Sequence, residues 1–427
     1  MNWNFFKEFL SIDSTSGNER DVAQWLLTQL EAPVVESMEV GDGTLNLFLK
    51  WGTPKVVFCT HMDTVPPYIP PMFPEGMCLL ETSLRDPSHS QRAAARLWAP
   101  PVPGDSYPPV VPEGTSALTG AAEGGHSFQE AHASRKSTDR DSVITGRGSC
   151  DAKGQVFAMY TACKELEAAG CTDFGLLLLS GEETGSWGAK AFSKTGFQAP
   201  FLIVGEPTEN KMVSASKGTK SYDLTFRGEA FHSGYPQYGV SAVDLFNAFY
   251  NKLKARDFGE DPVLGATTWN VGLLHSDNPQ NILAPELTCR LYFRTTFVSD
   301  QAVQDWMGQV AEDMGLSSTS LRDPVRANVP ERPIPSGTPG PVGGLTVTPR
   351  GGDAPARYVT LPGFESAPVA FGSDAPHLTG FGHKIICGPG TIRVAHRPDE
   401  HVLISDLETA VSQYVEMYRK IQDIVTQ

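Results

Sequence analysis

Three runs of consecutive apolar residues punctuate the first half of the chain: Val56-Val57-Phe58-Cys59, Leu176-Leu177-Leu178-Leu179 and Phe201-Leu202-Ile203-Val204. Apolar runs of this length suit strands buried on both faces, as in a parallel sheet. Helical periodicity lies between them, from Gly154 to Ala169. An earlier helix is predicted by Ser16-Gly17-Asn18-Glu19, which has capping-box spacing ahead of Val22, Trp25, Leu26 and Leu30. Buried strands alternating with helices predict an α/β layer with a mixed, largely parallel sheet. Past residue 210 the pattern changes. Ser221 to Arg227 and Thr288 to Thr295 alternate apolar with polar, as half-exposed antiparallel strands do, and helical runs lie near Val240–Lys254 and Ala302–Met314. A smaller α+β domain inserted in the α/β one is expected. Strand character returns at Pro368–Phe371 and Lys384–Cys387, and a final helix from about Ile404 to Ile424 is expected to pack back on the first domain.

Two stretches break the pattern. Residues 77–141 show no sustained periodicity and carry six prolines between Pro100 and Pro112, and residues 321–350 hold seven prolines and four glycines. Ordinary loops run to about 4–6 residues, so both stretches read as irregular insertions.

Composition narrows the class. The 427 residues carry a formal net charge of −15, and 40% are hydrophobic. That supports sizeable cores and argues against a chain that grips nucleic-acid phosphates or anionic membranes. The start, MNWNFFKEFL, lacks the features of a secretory signal. No run approaches the roughly 18 apolar residues of a membrane span. The seven cysteines are scattered, with no C-x-x-C pair, which is neither a disulfide framework nor a zinc ribbon. A cytoplasmic location is the expectation.

Candidate chemistry sits where ligand sites of open α/β sheets are found, just past the C-terminal ends of the apolar strands. His61 and Asp63 follow the first run, Glu182 and Glu183 the second, and Glu206 the third. Asp151 lies in a glycine-rich turn into a helix, and His396 follows Gly388-Pro389-Gly390. Two histidines with several carboxylates suit zinc, cobalt or manganese. If they converge, Asp63, Asp151, Glu182, Glu183 and Glu206 bring five negative charges into one cleft, and two divalent cations would leave it at −1. In the adjacent pair Glu182-Glu183, one carboxylate can bind metal while the other accepts a proton from water. Alone, each motif has a bland reading: a packed histidine, a solvated acidic turn, or a glycine loop without P-loop spacing. Their joint occurrence at strand ends is what points to metal chemistry.

The runs HMDTVPP (61–67), GRGSCDAKG (146–154), LSGEETGSWGAK (179–190), GEPT (205–208), FHSGYPQYGVSA (231–242) and AHRPDE (395–400) resemble the M20 metallopeptidase family. Within it they are most similar to the acetylornithine deacetylase and succinyl-diaminopimelate desuccinylase branch. The resemblance implies a zinc-exopeptidase-like catalytic domain over 1–210, interrupted by the 77–141 insertion, and 326–427, with an inserted ferredoxin-like lid over 211–325 that mediates homodimerisation and the 321–350 stretch at the return hinge. It implies two Zn²⁺, replaceable by Co²⁺: one on His61, Asp151 and Glu206, the other on Asp151, Glu183 and His396. Glu182 would be the general base, Asp63 the partner orienting His61, and His232 the lid histidine that stabilises the oxyanion, often in the neighbouring subunit. Asn281 and Arg294 match lid positions that contact a substrate carboxylate, and Ser373 and Asp374 match a loop near the substrate. One departure stands out: His61 and Asp151 are 90 positions apart, whereas the family spacing is about a third of that.

The expected activity is cleavage of the amide bond of an N-acyl amino acid, with N-acetylornithine deacetylation in arginine biosynthesis leading. Succinyl-diaminopimelate desuccinylase, N-acetylcitrulline deacetylase and M20 dipeptidase or aminopeptidase activities are the enzymatic alternatives. A catalytically silent binding homologue is the alternative of a different class.

Overall fold

The computed structural model describes residues 1–41, 43–74, 142–318 and 343–425. The 77–141 insertion and most of the proline-rich stretch at 321–350 lie outside them. Every position of the strands Val56–His61 and Phe174–Leu179 is buried, which is why both read as unbroken apolar runs. They belong to a six-stranded sheet in the order Val34–Gly41, Thr44–Trp51, Phe174–Leu179, Val56–His61, Ala199–Val204, Phe381–Ile386. The last four run parallel to one another, and the first two form an antiparallel hairpin on one edge, with Thr44–Trp51 also antiparallel to Phe174–Leu179. The sheet is therefore mixed and largely parallel, as expected. The helices Lys153–Ala168 and Ile404–Val425 pack against each other, and the first also packs on the central strands. Tyr414 seals this layer: it is fully buried, sits edge-on to Phe58 at 5.9 Å, and donates its hydroxyl hydrogen to Cys387 O at 2.9 Å.

The inserted domain is a β-α-β-β-α-β unit. Its strands Gly218–Arg227, Thr268–His275, Glu286–Thr295 and Gly344–Gly351 alternate with the helices Ala242–Ala255 and Asp300–Asp313. The strand order Thr268–His275, Glu286–Thr295, Gly218–Arg227, Gly344–Gly351 is the ferredoxin-like arrangement, with the two-residue Ser317–Ser318 strand added beyond the last. The helices cover one face. There Leu224, Phe226, Leu287, Leu291 and Phe293 form a core with Phe249, Val303 and Trp306.

Two sequence expectations are corrected. The lid does not end at 325, because its fourth strand is Gly344–Gly351, inside the stretch expected to be an irregular hinge. Pro349 disguised it: proline breaks a ladder and is tolerated at edges and bulges, and the register here shifts between Pro349 and Gly351. Nor does Ser16 open a capping box. The second helix spans Glu19–Gln29 with Asn18 at its N-cap, while the Ser16 hydroxyl donates to Asp63 Oδ2 at 3.1 Å. No described helix is long and apolar enough to cross a membrane.

Candidate metal centre

Three neighbouring parallel strands deliver their following residues to one sheet edge. Phe174–Leu179 leads to Glu182 and Glu183, Val56–His61 ends on His61, and Ala199–Val204 leads to Glu206. The remaining two ligand candidates arrive through a small antiparallel pair, Val143–Thr145 with His401–Leu403, in which Thr145 faces His401. Asp151 follows the first of these strands and His396 precedes the second, so this pairing brings residues 245 positions apart to the same rim.

The side chains converge. His61 Nε2 lies 3.1 Å from Asp151 Oδ1, and His396 Nε2 lies 3.3 Å from Asp151 Oδ2 and 3.0 Å from Glu183 Oε1. Each oxygen of Asp151 thus faces a different histidine. Two groups, His61–Asp151–Glu206 and Asp151–Glu183–His396, have their potential ligand atoms within 4.8 Å of one another. A third, His61–Glu182–Glu183, meets the same distance. His396 adopts φ +64°, a left-handed conformation uncommon for a non-glycine residue and often found where function fixes the backbone.

Burial dominates the electrostatics. It pushes the Glu182 and Glu206 carboxyls well above the usual carboxylate range and raises Glu183. Burial also pushes Asp151 upward, but hydrogen bonds with His396 and His61 outweigh it and hold the group low. The same contacts, Asp151 first and then Glu183, raise His396 to about 10. For His61, burial acts downward, but hydrogen bonds with Asp151 and Asp63 carry it well above its ordinary value. Glu206 Oε1 is buried without a hydrogen-bond partner, a costly state for a carboxylate oxygen. A donor set of two imidazoles and three carboxylates, with one carboxylate shared and one oxygen unpartnered, fits two divalent cations.

Backbone contacts hold these groups in place. Asp63 is fully buried, and its two oxygens accept the Glu182 and Glu183 N–H groups at 3.1 Å each. His61 Nδ1 lies 3.0 Å from the Asp63 carbonyl oxygen and 3.4 Å from Oδ1. Gly181 makes the turn possible: its φ is +73°, and a Cβ there would fall 1.8 Å from the Trp187 ring. Glu400 escaped the sequence reading although it closes the AHRPDE run. It is 1% exposed, and its Oε1 accepts N–H groups of Gly148, Cys150 and Asp151 at 2.9, 3.2 and 3.1 Å. Its Oε2 pairs with the buried Arg147. A conspicuous acidic residue in a motif was the only signal, and nothing local showed that it faces a loop 250 positions away.

A cavity of about 580 Å³ opens between this cluster and the lid sheet. Asp151, Glu182, Glu183, Glu206 and His396 line one side, and Arg290, Tyr292, Arg294 and Arg350 the other. Of the expected substrate contacts, Arg294 and Ser373 reach this cavity. Asp374 does not line it: the residue is 2% exposed, neither carboxylate oxygen has a hydrogen-bond partner, and burial raises it to about 6. His232 and Asn281 do not line it either. Both are exposed on neighbouring lid loops, where His232 bridges to Ile282 and Ser233 N donates to Asn281 O at 2.9 Å.

Comparison with known proteins gives a consistent picture. Residues 214–315 match the peptidase dimerisation domain of the M20 family. A peptidase M20 domain-containing protein of Schizosaccharomyces pombe is 32% identical over 281 residues, covering 64% of this chain and 62% of that protein. The match thus spans under two thirds of that relative. A probable carboxypeptidase of Aspergillus clavatus is 28% identical over 433 residues, covering 96% of this chain and 86% of that one. Among solved structures, a tripeptidase of Staphylococcus aureus shares the fold, with a TM-score of 0.63 at 17% identity over 97% of this chain and 96% of that one.

Proposed function

We propose that this chain is a metallopeptidase of the M20 type, a reading supported by its match to the M20 dimerisation domain over residues 214–315 and by its similarity to M20 and carboxypeptidase relatives, and that it is a two-zinc hydrolase cleaving the amide on the amino side of a residue bearing a free carboxylate. Dipeptides, the C-terminal residue of short peptides and N-acyl amino acids all present that bond. The observation that supports the reading is Asp151 standing between His61 and His396, with Glu182 beside them and an arginine-lined wall opposite.

In this reading His61, Asp151 and Glu206 hold one cation, and Asp151, Glu183 and His396 the other. Cations held there supply Lewis acidity, polarising the scissile carbonyl and making water more acidic. Glu182 takes a proton from the attacking water on its carboxylate and delivers it to the leaving amine nitrogen. Asp63 accepts the His61 Nδ1 proton, which leaves the Nε2 lone pair facing the cluster, and it fixes the peptide units of Glu182 and Glu183. Arg294 receives the substrate carboxylate through its planar fork. His232, exposed on the lid, serves the cleft of a second subunit in a homodimer, where its imidazole steadies the developing oxyanion.

N-acetylornithine is the less suited substrate within this class. Its side-chain ammonium would enter a cavity where Arg290, Arg294, Arg350 and Lys190 contribute cationic groups. The deciding experiment assays zinc-loaded protein against dipeptides, N-acetyl amino acids, N-acetylornithine and N-succinyl-diaminopimelate. Glu182→Ala is expected to lower kcat by about 10²–10⁴-fold with both metals retained, the usual range for general acid–base catalysis. Full activity in that variant, with metal content unchanged, would remove Glu182 from the mechanism.

A further inference from the structure

The lid wall carries more positive charge than one terminal carboxylate requires. Along Glu286–Thr295 the buried residues Leu287, Cys289, Leu291 and Phe293 point into the lid core, which leaves Arg290, Tyr292 and Arg294 on the opposite face, toward the cavity. Arg294 lies over the Tyr292 ring, 5.0 Å from its centroid, and has no acidic partner among the described residues. Arg290 stands opposite Asp223 on the neighbouring strand and grips it at both oxygens, Nε to Oδ1 at 2.7 Å and Nη2 to Oδ2 at 3.1 Å. Arg350 approaches the same carboxylate from the other side, Nε to Oδ2 at 3.5 Å. One carboxylate is thus flanked by two guanidinium groups, both partly open to the cavity, with a third beyond them. Asp353, also at the cavity, is engaged by His377 Nε2 at 3.3 Å.

We propose that Arg290 and Arg350, braced by Asp223, form a second anion recess that selects substrates bearing an acidic side chain besides their terminal carboxylate. The inference rests on the hydrolase reading above and gives that site a substrate class. Spacing supports two anion positions. Arg290 and Arg294 are four residues apart on one strand, roughly 14 Å at the backbone at about 3.4 Å per residue, and Arg294 folds over the intervening Tyr292 ring, which brings its fork toward Arg290 and toward the separation of two carboxylates on one residue. Asp223 is a bracing group: it fixes the plane of Arg290 by a two-point contact and leaves the remaining N–H groups of both arginines to an incoming anion.

The test uses zinc-loaded, full-length protein and paired substrates that differ only in charge: dipeptides and N-acetyl amino acids ending in Glu against Gln, and in Asp against Asn. The acidic member is expected to have a kcat/KM roughly tenfold higher or more, the scale of one charge-assisted hydrogen bond. The ratio should shrink as salt is added. In Arg290→Gln/Arg350→Gln it should fall toward one, and Arg290→Lys/Arg350→Lys should restore part of it. Equal rates on both members in the unmodified protein, or an undiminished ratio in the glutamine double variant, overturn the recess. If no amide is hydrolysed, the hydrolase reading fails separately, and calorimetric titration still decides the recess. Glutamate binding tighter than glutamine, with the difference lost in the double variant, supports it; equal binding overturns it.

Discussion

At Glu400 one carboxylate oxygen accepts three backbone N–H groups of the loop that presents Asp151, while the other pairs with buried Arg147. The residue lies four positions past His396, so it links the two segments that meet at the second candidate metal position. Glu400→Gln keeps the shape but removes the charge opposite Arg147. Breaking a buried pair of this kind costs about 3–5 kcal/mol. The variant should lose stability of that order in urea unfolding and bind zinc more weakly in equilibrium dialysis. An unchanged unfolding midpoint would mean the loop holds itself. At this scale the sequence exposed the candidate ligands, because histidine and paired carboxylates after apolar runs are chemically conspicuous. It hid the groups that position them: Glu400, Arg147 and Ser16 act across 47 to 253 positions.

Elements were legible wherever burial imposed a period. The runs at 56–59, 176–179 and 201–204 are strands in the structure, and the helices predicted near 154–169, 240–254, 302–314 and 404–424 are present within a few residues. The fourth lid strand was missed because its segment, Gly-Leu-Thr-Val-Thr-Pro-Arg-Gly, carries turn residues at both ends and a proline inside. Tertiary pairing with Gly218–Arg227 overrides that local preference. Leu345 tests the strand's contribution. It is 1% exposed within the lid core, so Leu345→Ala should cost about 2–5 kcal/mol, the usual range for truncating a buried leucine. Chemical unfolding would register the loss; a near-neutral result would mean the lid is complete without this strand.

For the whole molecule, the lid's outer edge is the notable surface. Among the described residues the strand Thr268–His275 is the end member of its sheet, and Leu273 and Leu274 on it are 71% and 55% exposed. An unpaired edge bearing exposed leucines is a template for pairing with another chain. With the match of residues 214–315 to a dimerisation domain, this supports the homodimer proposed above. The protein should sediment as a dimer, and Leu273→Glu should shift it to monomer. Because His232 lies on the same lid and outside the cavity of its own chain, the monomeric variant should also lose activity while keeping its metals. A monomer of full activity would assign the oxyanion contact to another group.

By itself the sequence determined the α/β class and the inserted α+β domain, and it singled out the candidate metal-ligating residues. These follow from burial periodicity and side-chain type, which are local properties. The tertiary structure alone decided that the lid sheet runs on to Gly351, that Ser16 serves Asp63 instead of a helix end, and that Arg290 and Arg350 face the cleft around one aspartate. Each of those depends on which distant strand lies alongside. Pairing register and sheet order are set by the packing of the whole chain, and no local window of residues encodes them.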